Sequence, residues 1–198
     1  MLKVVVLISG GGSNLKALLD AAADSAYPAQ IVAVGSDTDA SGLEYAREAG
    51  IPAFIVRPRD YEDRAAWGEA FAAGIREYEP DLVVSAGLMR VLPADFVREF
   101  SPRLINTHPA LLPLYPGAHA VRDALAAGAT ETGVTVHIID EGVDTGPVLR
   151  NRSLTILDGE SEEDLHERIK QIERPLLVDT VRDIATGDLQ LGTSPAAD

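Results

Sequence analysis

An asparagine and a histidine lie two positions apart in the second half of the chain. Asn106 and His108 follow the apolar pair Leu104 and Ile105, and prolines come soon after them. Alternate residues of a strand point to the same side, so the amide and the imidazole can converge on one point. An amide donor beside a group that titrates near neutrality suits oxyanion stabilisation and proton transfer. A polar strand end with a purely structural histidine is the alternative interpretation.

The second candidate is an acidic turn at residues 140–147, between two predicted strands. Its carboxylates, Asp140, Glu141 and Asp144, are too few for a calcium loop and lack EF-hand spacing. Two interpretations stay open. The segment is a plain hairpin turn, or it supplies the Asp144 carboxylate that orients a distant histidine.

The third candidate is the glycine-rich segment Ser9-Gly10-Gly11-Gly12-Ser13-Asn14, between the first predicted strand and the first predicted helix. Glycines let the backbone approach an anion, and the helix N-terminus offers free N–H groups. Leu15 occupies the third glycine position of the dinucleotide fingerprint, and no Walker lysine follows. The segment therefore predicts a monophosphate site, with a tight turn that binds nothing as the alternative.

The elements that position these groups follow a strand–helix alternation. Three runs, at 4–8, 31–34 and 82–84, are apolar on both faces, as buried parallel strands are. Helical spacing between them unites two sets of apolar residues, namely Leu15, Leu18 and Leu19, and then Trp67, Phe71, Ile75 and Tyr78. This alternation is typical of an α/β fold with a doubly wound, mostly parallel sheet.

The second half of the chain predicts antiparallel additions to that sheet. Residues 132–140 alternate apolar with polar or less buried positions, and 147–156 also predicts a strand. A helix should begin near Ser161, and Pro175 should kink or restart it. His137 is expected to be structural in its strand, and His166 to be a solvated helix residue.

Composition predicts one globular domain. The 198 residues are 46% hydrophobic and 24% charged. We expect a single domain over 1–190, with phosphate binding in its N-terminal half and catalysis in its C-terminal half, followed by a flexible tail at 191–198. A net charge of −14 argues against nucleic-acid binding. No apolar run suits a signal peptide or a membrane span, so a cytoplasmic protein is expected, with no indication of its oligomeric state.

The chemistry expected is free of thiolates and metals. The chain has no cysteine, which excludes a cysteine nucleophile and a thiolate metal site. Its four histidines do not have the spacing of metal ligands.

Taken in order, these motifs resemble the glycinamide ribonucleotide formyltransferases, folate-dependent enzymes within the wider formyltransferase family. The likeness covers about 2–187 and rests on the glycine segment, 89–92, 106–113, 115–117 and 140–147. It implies a Rossmann-like formyltransferase fold. It also implies formyl transfer from 10-formyltetrahydrofolate to the amine of glycinamide ribonucleotide in purine synthesis. The amine attacks directly through a tetrahedral intermediate, and no metal takes part.

The resemblance also implies roles for single residues. Asn106 and His108 would stabilise the oxyanion, and Asp144 would keep His108 protonated and help to relay protons. The ribotide would contact Gly12, Ser13, Asn14, Lys170 and Glu173. The folate would contact Arg64, Met89, Arg90, Val91, Leu92, Asp140 and Glu141. His119 matches a family position near the aspartate, with an auxiliary role.

The chain departs from the family pattern in three segments. Arg174 and Pro175 follow Glu173 where many relatives carry a histidine, which affects the expected geometry around Glu173. Leu114 replaces a common basic residue, and Val121 replaces another common histidine.

Other functions remain in competition. Methionyl-tRNA formyltransferase has a further RNA-binding domain and a basic surface, and formyltetrahydrofolate hydrolase has an N-terminal regulatory domain. A sugar-amine formyltransferase is the nearest enzyme rival. A nucleotide-binding module without chemistry is the alternative from another class, and the presence of Asn106, His108 and Asp144 argues against it.

Overall fold

The computed structural model describes residues 1–192, so the tail predicted from residue 191 lies outside the described residues beyond Gly192. The strands are β1 Leu2–Ile8, β2 Ala29–Ser36, β3 Ala53–Ile55, β4 Leu82–Ser85, β5 Leu104–His108, β6 Glu131–Ile138 and β7 Val148–Thr155. The helices are α1 Ser13–Ala22, α2 Leu43–Glu48, α3 Arg64–Arg76, α4 Ala94–Phe100, α5 Ala120–Ala126 and α6 Glu162–Thr186, with a 3₁₀ turn at Pro58–Asp60.

All seven strands form one sheet in the order β3-β2-β1-β4-β5-β6-β7. The pairs from β3 to β5 are parallel, whereas β5–β6 and β6–β7 are antiparallel. The predicted α/β class, with a mostly parallel sheet and antiparallel additions in the C-terminal half, is therefore confirmed.

Two apolar layers cover the sheet, one on each face. Alternate residues of β1 enter opposite layers, with Val4, Val6 and Ile8 on the side of α1 and α6 and Val5 and Leu7 on the side of α3 and α4. Burial on both faces explains why the central strands are continuously apolar instead of alternating.

Two predicted features differ in detail. Helix α3 ends at Arg76, so Tyr78 lies in the following turn, where it stacks on Phe54 with ring centroids 6.0 Å apart. Helix α6 runs through Pro175 without a restart, which leaves a kink at Pro175 as the untested alternative. Pro175 is exposed, so water can donate a hydrogen bond to the backbone carbonyl that loses its helical donor. Buried Leu176 and Leu177 hold the next turn against the core.

Strand β6 is also more buried than its alternating pattern predicts. Every residue after Glu131 is buried in this strand. One face packs on α6, and the other lies under the segment that follows β5, where Thr135 Oγ1 donates to the Ala110 carbonyl. No helix within residues 1–192 is both long enough and apolar enough to cross a membrane.

Candidate active site

A cavity of about 350 Å³ opens at the edge of the sheet where β4 and β5 end. The segments after these strands, the 140–144 turn and the end of β6 line it together. Eight predicted site residues lie in its wall: Met89, Arg90, Val91, Leu92, Asn106, His108, Asp140 and Asp144. All four histidines of the chain line the same cavity. In open α/β sheets, ligands bind at the carboxyl ends of the strands, and this cavity lies at that edge of the sheet.

Strand β5 brings Asn106 and His108 to one side, as their spacing predicts. Both line the cavity, and β6 places His137 opposite Asn106 and Thr135 opposite His108. The intervening Thr107 donates from its hydroxyl to Glu173 Oε1 at 2.8 Å in a buried contact.

The two ring nitrogens of His108 both face acceptors. Its Nε2 lies 2.8 Å from the Tyr115 carbonyl, and its Nδ1 lies 3.4 Å from Asp144 Oδ2. A neutral imidazole has only one N–H and can satisfy one of them, whereas the imidazolium can donate to both. The side chain is 5% exposed, so few water molecules compete for these nitrogens.

Asp144 is the anionic centre of this cluster. Its Oδ2 also accepts from the Gly117 N–H at 2.8 Å, and its Oδ1 lies 3.5 Å from His137 Nε2. Burial by itself raises the pKa of Asp144. The hydrogen bonds from His137 and Gly117 and the charges of both histidines outweigh it and hold the pKa below the ordinary value. Asp144 is thus a carboxylate at neutral pH.

His137 belongs to the site, although the sequence pattern indicated a structural role. Its Nδ1 faces the Ile138 carbonyl at 2.9 Å, so the proton sits on Nδ1 in the neutral ring. In this neutral form Nε2 can accept from the Asn106 amide at 3.3 Å, which fixes the direction of that amide, whereas a protonated ring would donate from Nε2 to Asp144 Oδ1 at 3.5 Å. Pairing β6 against β5 in the correct register would have revealed this contact, since His137 stands directly across from Asn106.

The glycine segment lies at the start of α1. Gly12 has φ 69° and precedes the helix, and no side chain caps the first-turn N–H groups. A Cβ at Gly12 would come within 3.0 Å of the Gly42 Cα, so the close approach there requires glycine. Asn14 is buried, and its Oδ1 has no partner among the described atoms. The free N–H groups at the start of α1 suit an anion, whereas the Asn14 oxygen is an acceptor and adds nothing to this. The segment lies beside the cavity without lining it.

The remaining predicted ribotide residues lie on α6. Lys170 pairs with Glu167 one turn away. Glu173 is buried and hydrogen-bonded to Thr107, and neither Lys170 nor Glu173 lines the cavity.

Two predicted folate residues stand outside the cavity wall and hold its segments. Arg64 donates from Nε to the Val91 carbonyl at 3.1 Å and from Nη2 to the Leu92 carbonyl at 2.8 Å. Glu141 accepts from Arg98 Nη1 at 2.7 Å, which ties the 140–144 turn to α4. In the wall itself Leu92 is buried, whereas Met89 and Val91 are exposed.

The other two histidines complete the lining. His119 directly precedes α5, and His166 lies on α6 as an exposed residue that still reaches the cavity wall. Within the described part of the chain, no group of three or more histidine, cysteine, aspartate or glutamate side chains could hold a metal ion.

Fold and site together define a formyltransferase: the formyl transferase family profile matches residues 2–181, and the chain belongs to this family. The phosphoribosylglycinamide formyltransferase of Mycobacterium tuberculosis H37Rv is 53% identical over 184 residues, which cover 93% of this chain and 85% of that protein. The Escherichia coli K12 enzyme of the same name is 38% identical over 196 residues, covering 98% and 92%.

A solved structure agrees with these relatives. The crystal structure of glycinamide ribonucleotide transformylase 1 from Symbiobacterium toebii superposes with a TM-score of 0.93 at 39% identity. The match covers 97% of this chain and 91% of that one. The family and the enzyme class expected from the sequence are therefore confirmed.

Proposed function

We propose that the protein transfers a formyl group from 10-formyltetrahydrofolate to the amine of glycinamide ribonucleotide. The observation that carries the proposal is the convergence of Asn106, His108 and Asp144 in one cavity, with Asp144 Oδ2 3.4 Å from His108 Nδ1. The names of the aligned relatives support the choice of substrate. The activity predicted from the sequence agrees with those names.

Asn106 and His108 supply the donors that an oxyanion needs. One N–H of the Asn106 amide is held by His137, which leaves the second N–H for the oxygen of the reacting formyl group. His108 donates its Nε2 proton to the Tyr115 carbonyl. The developing oxyanion would accept this proton in place of the carbonyl. Attack by the amine then proceeds through a tetrahedral intermediate, without a covalent bond to the protein.

Asp144 keeps the imidazolium in place during this step. Its carboxylate faces both His108 and His137 while the Gly117 N–H fixes its position. When the tetrahedral intermediate collapses, the bond between the formyl carbon and the folate nitrogen breaks. The proton that the attacking amine loses passes through Asp144 and His108 to the departing folate nitrogen. The role of Asp144 toward the oxyanion therefore runs through His108.

The two substrates occupy neighbouring places at the edge of the sheet. The ribotide phosphate would bind the first turn of α1 at Gly12, Ser13 and Asn14, together with Lys170. The glycinamide end would lie toward Glu173. The folate would enter the cavity along Met89, Arg90, Val91 and Leu92 and the turn at Asp140. Exposed Met89, Val91 and Val143 supply apolar surface for a flat ring.

The remaining features of the proposal concern context. Residues 1–190 would act as one formyltransferase domain on small molecules in the cytoplasm. The net charge of −14 gives no electrostatic basis for nucleic-acid binding.

A steady-state assay with a chromogenic formyl-folate analogue tests the function. Addition of glycinamide ribonucleotide should lead to release of the deformylated folate, which is detected by absorbance. Addition of an amino sugar nucleotide should give no such release. Asn106→Ala should abolish most of the signal, whereas Asn151→Ala, at an exposed position on β7, should leave it intact. Turnover with the sugar nucleotide but not with the ribotide would refute the proposed substrate.

A further inference from the structure

A buried carboxylate outside the catalytic cluster joins two segments of the site. Asp37 follows β2 and has only 3% of its side chain exposed. Its Oδ1 accepts from the Ser9 hydroxyl at 2.6 Å, and its Oδ2 accepts from Arg90 Nε at 2.7 Å. The Ser9 oxygen in turn accepts from the Met89 N–H at 2.8 Å. Neither the sequence motifs nor the catalytic steps above account for this residue.

The strand order explains how these residues meet. Strand β1 lies between β2 and β4, so Ser9 after β1 stands between Asp37 after β2 and Met89 after β4. A second link joins the same segments, because the Ser9 N–H donates to the Gly87 carbonyl at 3.0 Å. Ser9 opens the glycine segment, while Met89 and Arg90 belong to the cavity wall.

We propose that Asp37 is a positioning residue that couples the ribotide and folate sites through Ser9 and Arg90. This inference rests on the proposed function, since it takes the glycine segment as the phosphate site and the cavity as the folate site. A phosphate on the glycine segment orders Ser9. Ser9 then holds Met89 through its oxygen and Arg90 through Asp37. The binding of one substrate thereby pre-forms the wall that receives the other.

The chemistry of a buried carboxylate makes the link sensitive to its charge. Both oxygens of Asp37 accept from donors that have no other acceptor in this cluster. Asparagine keeps one acceptor oxygen and places an amide donor where the second oxygen stood. Ser9 and Arg90 can then no longer both donate to residue 37, so one arm of the link is lost although the shape is kept.

The chain contains a matched control two residues away. Asp39 also pairs with an arginine, with its Oδ1 2.5 Å from Arg57 Nη2. This pair is exposed, since Asp39 has 66% of its side chain accessible, and it touches neither the glycine segment nor the cavity wall. Asp39→Asn therefore removes the same charge from the same segment without breaking the link.

Calorimetric titration measures the coupling directly. The affinity of a non-reactive formyl-folate analogue is measured with and without saturating glycinamide ribonucleotide, and the ratio is the coupling factor. Couplings between sites are commonly about 5- to 150-fold. We expect the ribotide to tighten folate binding about fivefold or more in the wild type and in Asp39→Asn. We expect less than about a twofold effect in Asp37→Asn.

Ser9→Ala provides a second variant if Asp37→Asn does not fold. It removes the hydroxyl that links Asp37 to Met89 and leaves the Asp37–Arg90 pair intact, so it should also bring the coupling factor close to one. Thermal unfolding of each variant checks that it is folded.

The outcomes separate this inference from the proposed function. Retained coupling in folded Asp37→Asn or Ser9→Ala overturns the role of Asp37, as does a wild type that turns over both substrates without coupling. Equal loss of coupling in Asp39→Asn overturns it too. A wild type that does not bind the ribotide at all refutes the proposed function instead.

Discussion

Replacing Asp144 by asparagine removes one charge from the catalytic cluster and keeps its shape. The carboxylate lies 3.4 Å from His108 Nδ1 and 3.5 Å from His137 Nε2. At an effective dielectric constant of about 20, unit charges 3.4 Å apart attract by about 5 kcal/mol. Part of this attraction offsets the cost of burying both groups. A hundredfold loss of kcat corresponds to about 2.7 kcal/mol, which is less than this gross attraction between the two charges.

We therefore expect Asp144→Asn to lower kcat by at least about a hundredfold, the usual effect of removing a positioned acid–base group. The Kd values for both substrates should change little, because the Gly117 N–H can still be met by the amide oxygen of asparagine. Stopped-flow measurement of folate release gives kcat, and NMR of the His108 ring at pH 7 gives the share of imidazolium. A normal kcat, or an unchanged imidazolium signal in the folded variant, would show that Asp144 does not act through His108.

The other predictions concern the same cluster and the glycine segment. Asn106→Ala should reduce kcat by roughly 10²–10³ with little change in KM, and steady-state kinetics that show mainly a higher KM would exclude an oxyanion role. His137→Phe should also lower kcat, because it releases the Asn106 amide; equal kcat in wild type and variant would leave His137 structural. Gly11→Val should weaken binding of the ribotide more than binding of the folate. No protein atom lies within 4 Å of the added Cβ, so the variant should fold, and the side chain would block approach of the phosphate to the backbone. Equal losses of affinity in calorimetry would place the phosphate elsewhere. The pKa of Asp144 is lowered in the folded state, so this carboxylate stabilises the fold above its unfolded pKa of about 3.9 and loses that effect as pH falls through the folded pKa. The difference in unfolding free energy between wild type and Asp144→Asn should therefore shrink below about pH 4, and a difference that stays constant with pH would contradict this.

The sequence predicts the parts of the site that depend on local pattern. Asn106 and His108 fall on one side of β5 because strand periodicity places them there. The central strands are recognisable because burial on both faces requires continuous apolar runs. The turn at 140–147 is marked by its glycines and acids.

The rest of the site depends on which strands are neighbours. His137 meets Asn106 only through the antiparallel register of β5 and β6, and alternation within β6 made it look like a structural residue. Asp37 meets Arg90 only because β1 separates β2 from β4 in the sheet. Such contacts join residues far apart in the chain, and local pattern carries no information about them.

Pro175 illustrates the same limit for a helix. Local rules predict a break, because proline lacks the N–H that continues the helical ladder. Buried Leu176, Leu177 and Val181 instead keep α6 packed against the sheet, although one backbone hydrogen bond of the helix is missing at Pro175. Tertiary packing outweighs the local preference here.

Direct transfer from folate to the ribotide amine is the central claim, and one rapid-quench experiment tests it. The protein is mixed with glycinamide ribonucleotide and an isotopically labelled formyl-folate, and product and intact protein mass are measured during the first turnover. The label should pass to the ribotide amine while the protein mass stays unchanged. A transient formyl adduct on the protein, or label released only as free formate, would contradict the account.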